Sequence, residues 1–220
     1  MSARPERDVV DRARSLAGRT IGEVARSLDV ALPTNGHKGF VGSLIERALG
    51  IAHRGAGPDL PVLGVEVKTT PIDARGRPRE STFVCMVPRD ALDRGWASSH
   101  PRAKLARVLF VPVESGPALA ARRVGAAFLW SPDAHDEAIL AGDWAELSGL
   151  MRAGGHEHVS ARHGRALQVR PKARRATSRW AAHDADGAPM LALPRAFYLR
   201  RAFVASILER APLAAPEARR

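Results

Sequence analysis

The most informative stretch of this sequence is Pro58-Asp59-Leu60-Pro61-Val62-Leu63-Gly64-Val65-Glu66-Val67-Lys68. Its valines and its alternation of residue types predict a strand over residues 62–69. Because successive side chains of a strand point to opposite faces, Glu66 and Lys68 share one face, while residues 63, 65 and 67 point into the core. Asp59 lies on the approach to this strand, close enough to converge with Glu66. The stretch therefore predicts two carboxylates and an ammonium group in one place.

This grouping suits phosphodiester hydrolysis. Two carboxylates can hold Mg²⁺, an ion that prefers oxygen ligands and keeps several of its waters. The ion can acidify an attacking water, and a neighbouring lysine can stabilise negative charge on the phosphate or position the nucleophile. Glu46, on a helix predicted just upstream, is a further acidic candidate. Taken alone, the pattern also fits a half-exposed strand with an ion pair between residues two apart.

The charge of the chain points to a polyanionic partner. It has 34 Lys and Arg residues against 23 Asp and Glu residues, a formal net charge of +11. Residues 152–220 carry 14 basic against 5 acidic residues, whereas residues 1–151 carry 20 against 18. This asymmetry indicates a nucleic-acid-binding face on the C-terminal part. A solvated basic surface is the alternative, because an arginine-rich composition raises the charge without any binding role.

Lysine is rare in this arginine-rich chain, so its positions are informative. Arginine supplies 30 of the 34 basic residues, and the four lysines are Lys38, Lys68, Lys104 and Lys172. Where arginine is so strongly preferred, a lysine marks a position that needs a compact ammonium group. All four are therefore candidate functional residues.

Other classes of protein are disfavoured by the composition. No apolar run approaches the roughly 18–20 residues that span a bilayer, and the charged N-terminus lacks the apolar stretch of a secretory signal. Cys85 is the only cysteine, which excludes an internal disulfide and fits a reducing compartment, so we expect a cytoplasmic protein. A zinc site built on His156, His158 and His163 is disfavoured because no cysteine lies nearby.

Helical and strand patterns alternate along the chain and predict an α/β (mixed α+β) class. Helices are predicted over residues 7–17, from a Thr20-x-x-Glu23 capping box onward, and over residues 40–49, 133–151 and 194–210. Further strands are predicted over residues 81–87, 105–113 and 124–129, and a hairpin over residues 157–170 that turns at His163-Gly164. Residues 172–189 are predicted to be irregular.

Several short segments of the sequence resemble one nuclease family. Asp59 with Glu66-Val67-Lys68 fits the PD-(D/E)xK pattern, and the surrounding sequence is similar to the MutH family of methyl-directed DNA mismatch repair endonucleases. The words that carry this resemblance are Leu63-Gly64-Val65-Glu66-Val67-Lys68-Thr69, Thr82-Phe83-Val84-Cys85, Ala161-Arg162-His163-Gly164, Val169-Arg170-Pro171-Lys172-Ala173 and Leu193-Pro194-Arg195-Ala196-Phe197-Tyr198-Leu199. Several matching segments in the same order along the chain are far more specific to one family than the catalytic pattern alone.

The resemblance implies a restriction-endonuclease-like fold, with a central mixed sheet flanked by helices and two lobes around a DNA cleft. It implies a single endonuclease domain over residues 1–210, with the catalytic lobe mainly in 1–151, the basic DNA-reading part mainly in 152–210 and a flexible tail at 211–220. The implied activity is Mg²⁺-dependent nicking of the unmethylated strand at hemimethylated GATC sites. The implied partners are double-stranded DNA and MutL, acting with MutS as activator, and we expect a monomer.

The resemblance also implies roles for individual residues. Asp59, Glu66 and Lys68 match the family's catalytic residues, with the two carboxylates as metal ligands, and Glu46 matches an additional acidic residue near the metals. The DNA-contacting positions that it implies are Lys38 and Lys104 at the active site, Phe83, Arg170 and Tyr198 as sensors of adenine methylation, and Lys172 in the DNA-reading segment. A methyl group on adenine N6 adds bulk in the major groove, so an aromatic ring packed there can distinguish methylation states. Taken alone, Tyr198 also fits a helix aromatic that completes the core.

Two other functions remain open at this point. A free-standing type II restriction endonuclease would cut GATC on both strands, which linearisation of a plasmid distinguishes from nicking. A catalytically inactive DNA-binding module is the second alternative, and the intact Asp59, Glu66 and Lys68 argue against it.

Overall fold

The computed structural model describes residues 4–34, 39–52, 55, 57–87, 91–154, 159–172, 179–183, 186 and 188–211. In chain order its elements are α1 (Arg4–Arg14), α2 (Ile21–Ser27), α3 (Phe40–Ala48), β1 (Glu66–Ile72), β2 (Thr82–Met86), α4 (His100–Leu105), β3 (Val108–Glu114), β4 (Phe128–Trp130), α5 (Ala134–Arg152), β5 (Leu167–Pro171), β6 (Trp180–His183), β7 (Pro189–Ala192), β8 (Arg195–Leu199) and α6 (Arg201–Arg210). These elements confirm the mixed α/β class. Among the described helices, none has the length and apolar character needed to cross a membrane.

The chain divides into two compact units that are interleaved along the sequence. Unit 1 comprises Met1–Glu80, Arg107–Trp130 and Ala205–Arg220, and unit 2 comprises Ser81–Ala106 and Ser131–Val204. Unit 2 therefore takes in residues 81–106 and 131–151 in addition to much of the basic C-terminal part. Among the described residues, the strands form two three-stranded sheets and one two-stranded hairpin.

Unit 1 is built around a mixed sheet of order β1-β3-β4. Strand β1 pairs in parallel with β3, starting with Glu66 opposite Val108, and β3 pairs antiparallel with β4. Strand β3 is buried from Val108 to Val113, as is expected for the central strand of a covered sheet. Helix α3 packs against β1, and Ile45 of this helix is fully buried in the core. Each fully buried aliphatic side chain of this kind contributes about 1.5–3 kcal/mol to folding.

Unit 2 is built around an antiparallel sheet of order β2-β8-β5, and β6 and β7 form a separate hairpin. The central strand β8 pairs with β2 on one side and with β5 on the other. Helix α5 packs against β5, and the ring of Trp144 lies 5.4 Å from that of Phe197 between centroids. Leu140 and Leu147 of the same helix face are fully buried.

Local signals placed several helix ends correctly. The capping box is confirmed, because the Glu23 N–H donates to Thr20 Oγ1 at 3.2 Å and the Thr20 N–H donates to Glu23 Oε2 at 2.7 Å. Asp133 caps the start of α5 by accepting a bond from the Asp136 N–H at 2.8 Å. These bonds satisfy donors at the first turn of each helix that have no partner within the helix.

Three predictions for the C-terminal part are wrong. The helix expected over residues 194–210 is present only as α6 from Arg201, because residues 195–199 form strand β8, which pairs with β2 on one edge and with β5 on the other. The hairpin expected over residues 157–170 is absent from the described residues, since β5 pairs with β8. The segment expected to be irregular, residues 172–189, contains β6, which pairs with β7 in a local hairpin. In the first two cases, strand pairing between distant parts of the chain overrides a local pattern.

The start of the first strand and the presence of helix α4 also differ from the predictions. The first strand begins at Glu66 and not at residue 62, because residues 60–65 form a turn. Helix α4 was not predicted, although its start carries recognisable signals. Ser99 accepts a bond from the Arg102 N–H at 3.2 Å, and Pro101 stands in the first turn, where a missing N–H costs nothing.

Candidate active site

A tight turn leads from Asp59 to Glu66. Across this turn the Leu60 N–H donates to Val65 O at 2.9 Å, and the Val65 N–H donates to Leu60 O at 3.2 Å. Gly64 adopts a φ of +65°, which residues with a side chain rarely adopt, and this allows the chain to reverse over residues 61–64. The turn therefore returns the chain so that Asp59 lies next to the start of β1.

The Asp59 carboxylate is held by the backbone of the strand it faces. Asp59 Oδ2 accepts a hydrogen bond from the Val67 N–H at 2.9 Å. Because Val67 directly follows Glu66, this bond brings the two carboxylates into the same region. The bond thus holds the Asp59 carboxylate against the main chain of β1, and the convergence of the two carboxylates stays a prediction.

Glu66 and Lys68 form a close, buried ion pair. Lys68 Nζ lies 2.5 Å from Glu66 Oε1, and the two side chains are 13% and 3% exposed, respectively. This contact confirms that both side chains project from one face of β1. A carboxylate buried to this degree needs a compensating charge, and the Lys68 ammonium supplies it.

The backbone of Glu66 is tied to a second ion pair. The Glu66 N–H donates to Arg107 O at 2.9 Å, and the Arg107 guanidinium donates to both oxygens of Glu6, at 2.6 and 2.7 Å. These hydrogen bonds, and secondarily the charge attraction, lower the pKa of Glu6 despite its partial burial, and the same bonds raise the pKa of Arg107. The bidentate pair therefore joins α1 to Arg107, whose main-chain oxygen accepts the hydrogen bond from the first residue of β1.

The donor set fits Mg²⁺. Asp59 and Glu66 both present carboxylate oxygens, and Mg²⁺ typically binds proteins through one or two carboxylates while keeping waters. Within the described part of the chain, no group of three or more His, Cys, Asp or Glu side chains is arranged to hold a metal ion. Glu46 is therefore not brought into such a group with the other two acids. Of the histidines considered for zinc, residues 156 and 158 lie outside the described residues.

Glu46 is a half-buried residue of α3. It borders a cavity of about 370 Å³ that is also lined by Val30, Phe40, Ser43, Leu44, Arg47 and Ile51. None of Asp59, Glu66 and Lys68 is among these lining residues. Its role as an additional acid of the active site stays a prediction.

The other three lysines were predicted to contact DNA. Lys38 lies outside the described residues. Lys104 is on α4 in unit 2 and is only 9% exposed, which is unusual for a lysine. Lys172 follows β5 directly, and its main-chain N–H donates to Pro194 O at 2.7 Å.

The predicted methylation sensors come together on one face of the unit 2 sheet. Tyr198 of β8 lies opposite Phe83 of β2 on one side and opposite Gln168 of β5 on the other. The rings of Phe83 and Tyr198 are 5.7 Å apart between centroids in an edge-to-face arrangement. A bulge between Phe83 and Cys85 shifts the register, so that Cys85, which is buried as expected, pairs with Phe197. Tyr198 is thus a half-buried strand residue and not a helix aromatic.

Basic side chains extend this aromatic face. Arg170 follows Gln168 by two positions on β5, so it lies on the same face as Tyr198, and it is exposed. Lys172 Nζ lies 3.1 Å from the centroid of the Phe83 ring and 6.0 Å from that of Tyr198, the geometry of a cation–π contact. The four residues predicted to read DNA in unit 2 therefore form one group.

Two buried polar residues of unit 2 were missed by sequence reasoning. Gln168 is 2% exposed, and its Nε2 donates to Ser81 Oγ at 2.7 Å, which links β5 to the residue preceding β2. Asp143 is 4% exposed and accepts three backbone N–H bonds. The available signal was a polar residue within an apolar pattern: Gln168 between Leu167 and Val169, and Asp143 on the apolar stripe of α5.

Comparison with known proteins extends these observations. The family model described as DNA mismatch repair enzyme MutH matches residues 52–143. DNA mismatch repair protein MutH of Serratia proteamaculans is 46% identical over 213 residues, which cover 93% of this chain and 92% of the relative. The proteins of the same name from Yersinia pestis and Vibrio parahaemolyticus are 45% and 44% identical, again over at least 92% of either chain. The chain belongs to the MutH family.

Membership of the MutH family confirms the resemblance that the short sequence segments indicated. The matched segment, residues 52–143, contains Asp59, Glu66 and Lys68 together with Phe83 and Lys104. The relatives align over nearly the whole chain, so the likeness covers both the ion-paired carboxylate of β1 and the sheet that carries Tyr198. Nothing in these comparisons favours a restriction endonuclease or an inactive DNA-binding module.

Proposed function

We propose that this mismatch repair endonuclease of the MutH family nicks the unmethylated strand of DNA at hemimethylated GATC sites in a reaction that requires Mg²⁺. The observation that carries the proposal is the buried contact of 2.5 Å between Lys68 Nζ and Glu66 Oε1, beside a carboxylate held at Val67. Two carboxylates and an ammonium group are the set that hydrolysis of a phosphodiester needs. The family relationship specifies the setting, which is DNA mismatch repair.

In the proposed reaction, a water oxygen bonds to phosphorus while one bridging P–O bond breaks. Asp59 and Glu66 would hold Mg²⁺, which when bound would acidify the attacking water and neutralise charge on the phosphate. The Val67 N–H orients Asp59, and the Lys68 ammonium orients Glu66. The same ammonium would donate to a phosphate oxygen as negative charge develops there.

Recognition of the site belongs to the face around Tyr198. Adenine and guanine both present distinctive groups in the major groove, and a methyl group on adenine N6 adds bulk there. The edge-to-face pair of Phe83 and Tyr198 offers a rigid apolar surface against such a methyl group. Arg170 and Lys172, on the same face, offer donors to guanine and to phosphate oxygens.

The partners and the compartment are part of the same proposal. We expect the protein to act as a monomer in the cytoplasm and to be activated by MutL in the presence of MutS. The mismatch repair names of the relatives support this setting, because strand nicking must be coupled to mismatch detection to be useful.

The deciding experiment measures nicking of GATC duplexes in three methylation states. Unmethylated, hemimethylated and fully methylated duplexes are incubated with the protein and Mg²⁺, with and without MutL, and each strand is labelled separately. We expect cleavage of the unmethylated strand of the hemimethylated duplex, stimulation by MutL and protection of the fully methylated duplex. Replacement of Mg²⁺ by a chelator should abolish the products.

Two controls separate the proposal from its alternatives. A supercoiled plasmid with a single GATC site should become open circular, whereas rapid conversion to the linear form would indicate a restriction endonuclease. Glu66→Ala should give no product on any substrate. Normal cleavage by this variant would remove Glu66 from the active site and overturn the proposed chemistry.

A further inference from the structure

Residues 159–165 of unit 2 form a loop without helix or strand that is nevertheless held firmly in place. It precedes β5, the strand that carries Arg170. A loop of this kind usually has a backbone that is solvated and mobile. In this loop, charged side chains bind both the N–H donors and the carbonyl acceptors of the backbone.

A buried carboxylate binds the donors at the end of the loop. Asp143 Oδ1 accepts from the Arg165 N–H at 2.8 Å, and Asp143 Oδ2 accepts from the Ala166 and Leu167 N–H groups at 2.6 and 2.7 Å. Charge-assisted bonds of this type are stronger than neutral ones, and here one side chain makes three of them. Glu146, one turn further along α5, accepts from the Gly164 N–H at 3.1 Å.

Arginine side chains bind the acceptors of the same loop. Arg195, which is 8% exposed, donates to Val159 O at 2.7 Å. Arg200 Nη2 donates to Ala161 O at 2.5 Å and to His163 O at 2.9 Å. Three carbonyl groups that would repel a phosphate are therefore turned toward cationic side chains of the unit.

The tight path of the loop depends on Gly164. This residue has a φ of +77°, and a Cβ placed on it would lie 2.0 Å from Leu167 O. No side chain fits there unless the backbone moves. The loop therefore has one well-defined conformation, set by Asp143 on one side and by the arginines on the other.

The side chains left on the outside of this loop are basic or polar. Ser160, Arg162 and Arg165 are all exposed. Among the described residues, neither Arg162 nor Arg165 forms an ion pair with an acidic side chain. The loop thus presents two unpaired guanidinium groups from a rigid support, and the chain runs from it directly into the strand of the DNA-reading face.

We propose that the 159–165 loop is a preformed contact for the sugar-phosphate backbone of duplex DNA, in which Arg162 and Arg165 bind phosphates and Asp143 is the positioning residue. This inference rests on the proposed function, because it takes duplex DNA as the substrate. Rigid presentation matters because an arginine on an ordered loop loses less conformational entropy when it binds a phosphate. Contacts of this kind set the register of a protein on DNA without reading its sequence.

The test compares two double variants that remove the same charge from the same unit. Arg162→Ala/Arg165→Ala removes the proposed contact, and Arg152→Ala/Arg201→Ala removes two exposed arginines elsewhere in unit 2. Binding of a GATC duplex and of a duplex lacking GATC is measured over roughly 50–200 mM salt in the absence of Mg²⁺. The first variant should lower the slope of log K against log salt by about 1.8, because each phosphate contact contributes about 0.9. It should weaken both duplexes by the same factor, and the second variant should change the slope much less.

The positioning role of Asp143 is tested by a change whose two possible effects have opposite signs. Asp143→Asn removes a negative charge and so makes the net charge one unit more positive, and general electrostatics alone would therefore strengthen DNA binding. If the loop loses its support, binding should instead weaken and the salt slope should fall although Arg162 and Arg165 remain. Glu146→Gln is the matched control, since it makes the same charge change on the same helix at an exposed bond.

Each outcome supports or overturns the proposal. Equal slopes for the two arginine pairs would reduce the loop to general surface charge and overturn it. Loss of MutL stimulation with unchanged DNA binding would assign the loop to a protein partner and overturn it as well. A folded Asp143→Asn protein that binds like Glu146→Gln would remove the positioning role, and if Asp143→Asn does not fold, the arginine pair still decides. Failure of the unaltered protein to bind or nick any duplex would instead contradict the proposed function.

Discussion

The proposed catalytic group of unit 1 and the proposed DNA-reading face of unit 2 differ in how far apart along the chain their residues lie. Asp59, Glu66 and Lys68 fall within residues 59–68, where one turn and one strand suffice to assemble them. The reading face takes Phe83 from β2, Arg170 from β5 and Tyr198 from β8, and strands β2 and β5 both depend on pairing with β8. The hydrogen bond between Gln168 and Ser81 joins residues 87 positions apart.

This difference predicts different responses to mutation. A site made from one turn and one strand keeps its geometry as long as that strand keeps its place, so isosteric changes can remove chemistry and leave the fold intact. A site made from three separate strands depends on side chains that also stabilise the sheet. Changes to the reading face should therefore shift recognition and stability together, whereas changes to Asp59 should separate activity from stability.

The largest effect is expected from Asp59→Asn. The amide oxygen of asparagine can still accept the bond from the Val67 N–H, so the free energy of unfolding should change by less than about 1 kcal/mol. The loss of one of two anionic ligands should lower the rate of nicking by more than about a thousandfold. Single-turnover nicking and urea denaturation of the same preparation measure the two quantities. An Asp59→Asn protein that nicks at near-normal rates would contradict the local site.

Glu66 provides the contrast to Asp59 within the same site. Glu66→Gln should abolish nicking and also lower the free energy of unfolding by about 3 kcal/mol, because the half-buried Lys68 ammonium loses its counter-charge. The matched control is Glu66→Gln/Lys68→Met, which removes both charges. It should regain most of the lost stability and none of the activity.

The intermediate effect is expected from Tyr198→Ala. This change removes the edge-to-face contact with Phe83, which contributes about 0.5–1.5 kcal/mol to stability beyond its buried area. We expect discrimination between hemimethylated and fully methylated duplexes to fall about tenfold, with a smaller change in the rate on unmethylated DNA. Tyr198→Phe is the control, since it keeps the ring and removes only the hydroxyl group. Discrimination by Tyr198→Ala equal to that of the unaltered protein would exclude Tyr198 as a sensor.

The same contrast explains what the sequence made predictable. The alternation around Glu66 and Lys68 and the capping box at Thr20 are local, and local sterics and hydrogen bonding determine them. Strand β8 was mistaken for part of a helix, because the apolar residues of 194–210 also fit helical spacing and only pairing with β2 and β5 selects the strand. For the reading face, the resemblance to the family implied the roles of Phe83 and Tyr198. The sequence pattern alone could not show that these two residues lie side by side.

Asp143 illustrates a feature that neither route identified. Asp143 lies on the apolar stripe of α5, and its position in that pattern does not specify which backbone groups it binds. Those groups lie more than twenty positions further along the chain, from Arg165 to Leu167. Long-range bonds from a side chain to backbone groups leave no periodic signal, so they become visible only in the folded chain.

The smallest effect is expected from Glu6→Gln, and its pH dependence identifies its cause. Hydrogen bonds from Arg107 lower the pKa of Glu6 in the folded state, so Glu6 stabilises the fold above its ordinary pKa of about 4.5, and this contribution is lost as the pH falls through the lowered value. Since Glu6 and Arg107 are 29% and 40% exposed, respectively, solvent screening limits the pair to about 0.5 kcal/mol. The difference in unfolding free energy between the unaltered protein and Glu6→Gln should therefore be present at neutral pH, decline as the pH falls below about 4.5 and vanish below the lowered pKa. A double-mutant cycle with Arg107→Gln isolates the pair, because Glu23 and Asp73 also have lowered pKa values and titrate in the same range in every variant.

Nicking by Glu6→Gln at neutral pH should change little, because the Glu66 N–H bonds to the main-chain oxygen of Arg107, which the substitution leaves in place. A large loss of nicking would show that the catalytic site depends on α1, and it would no longer be the local site inferred from residues 59–68.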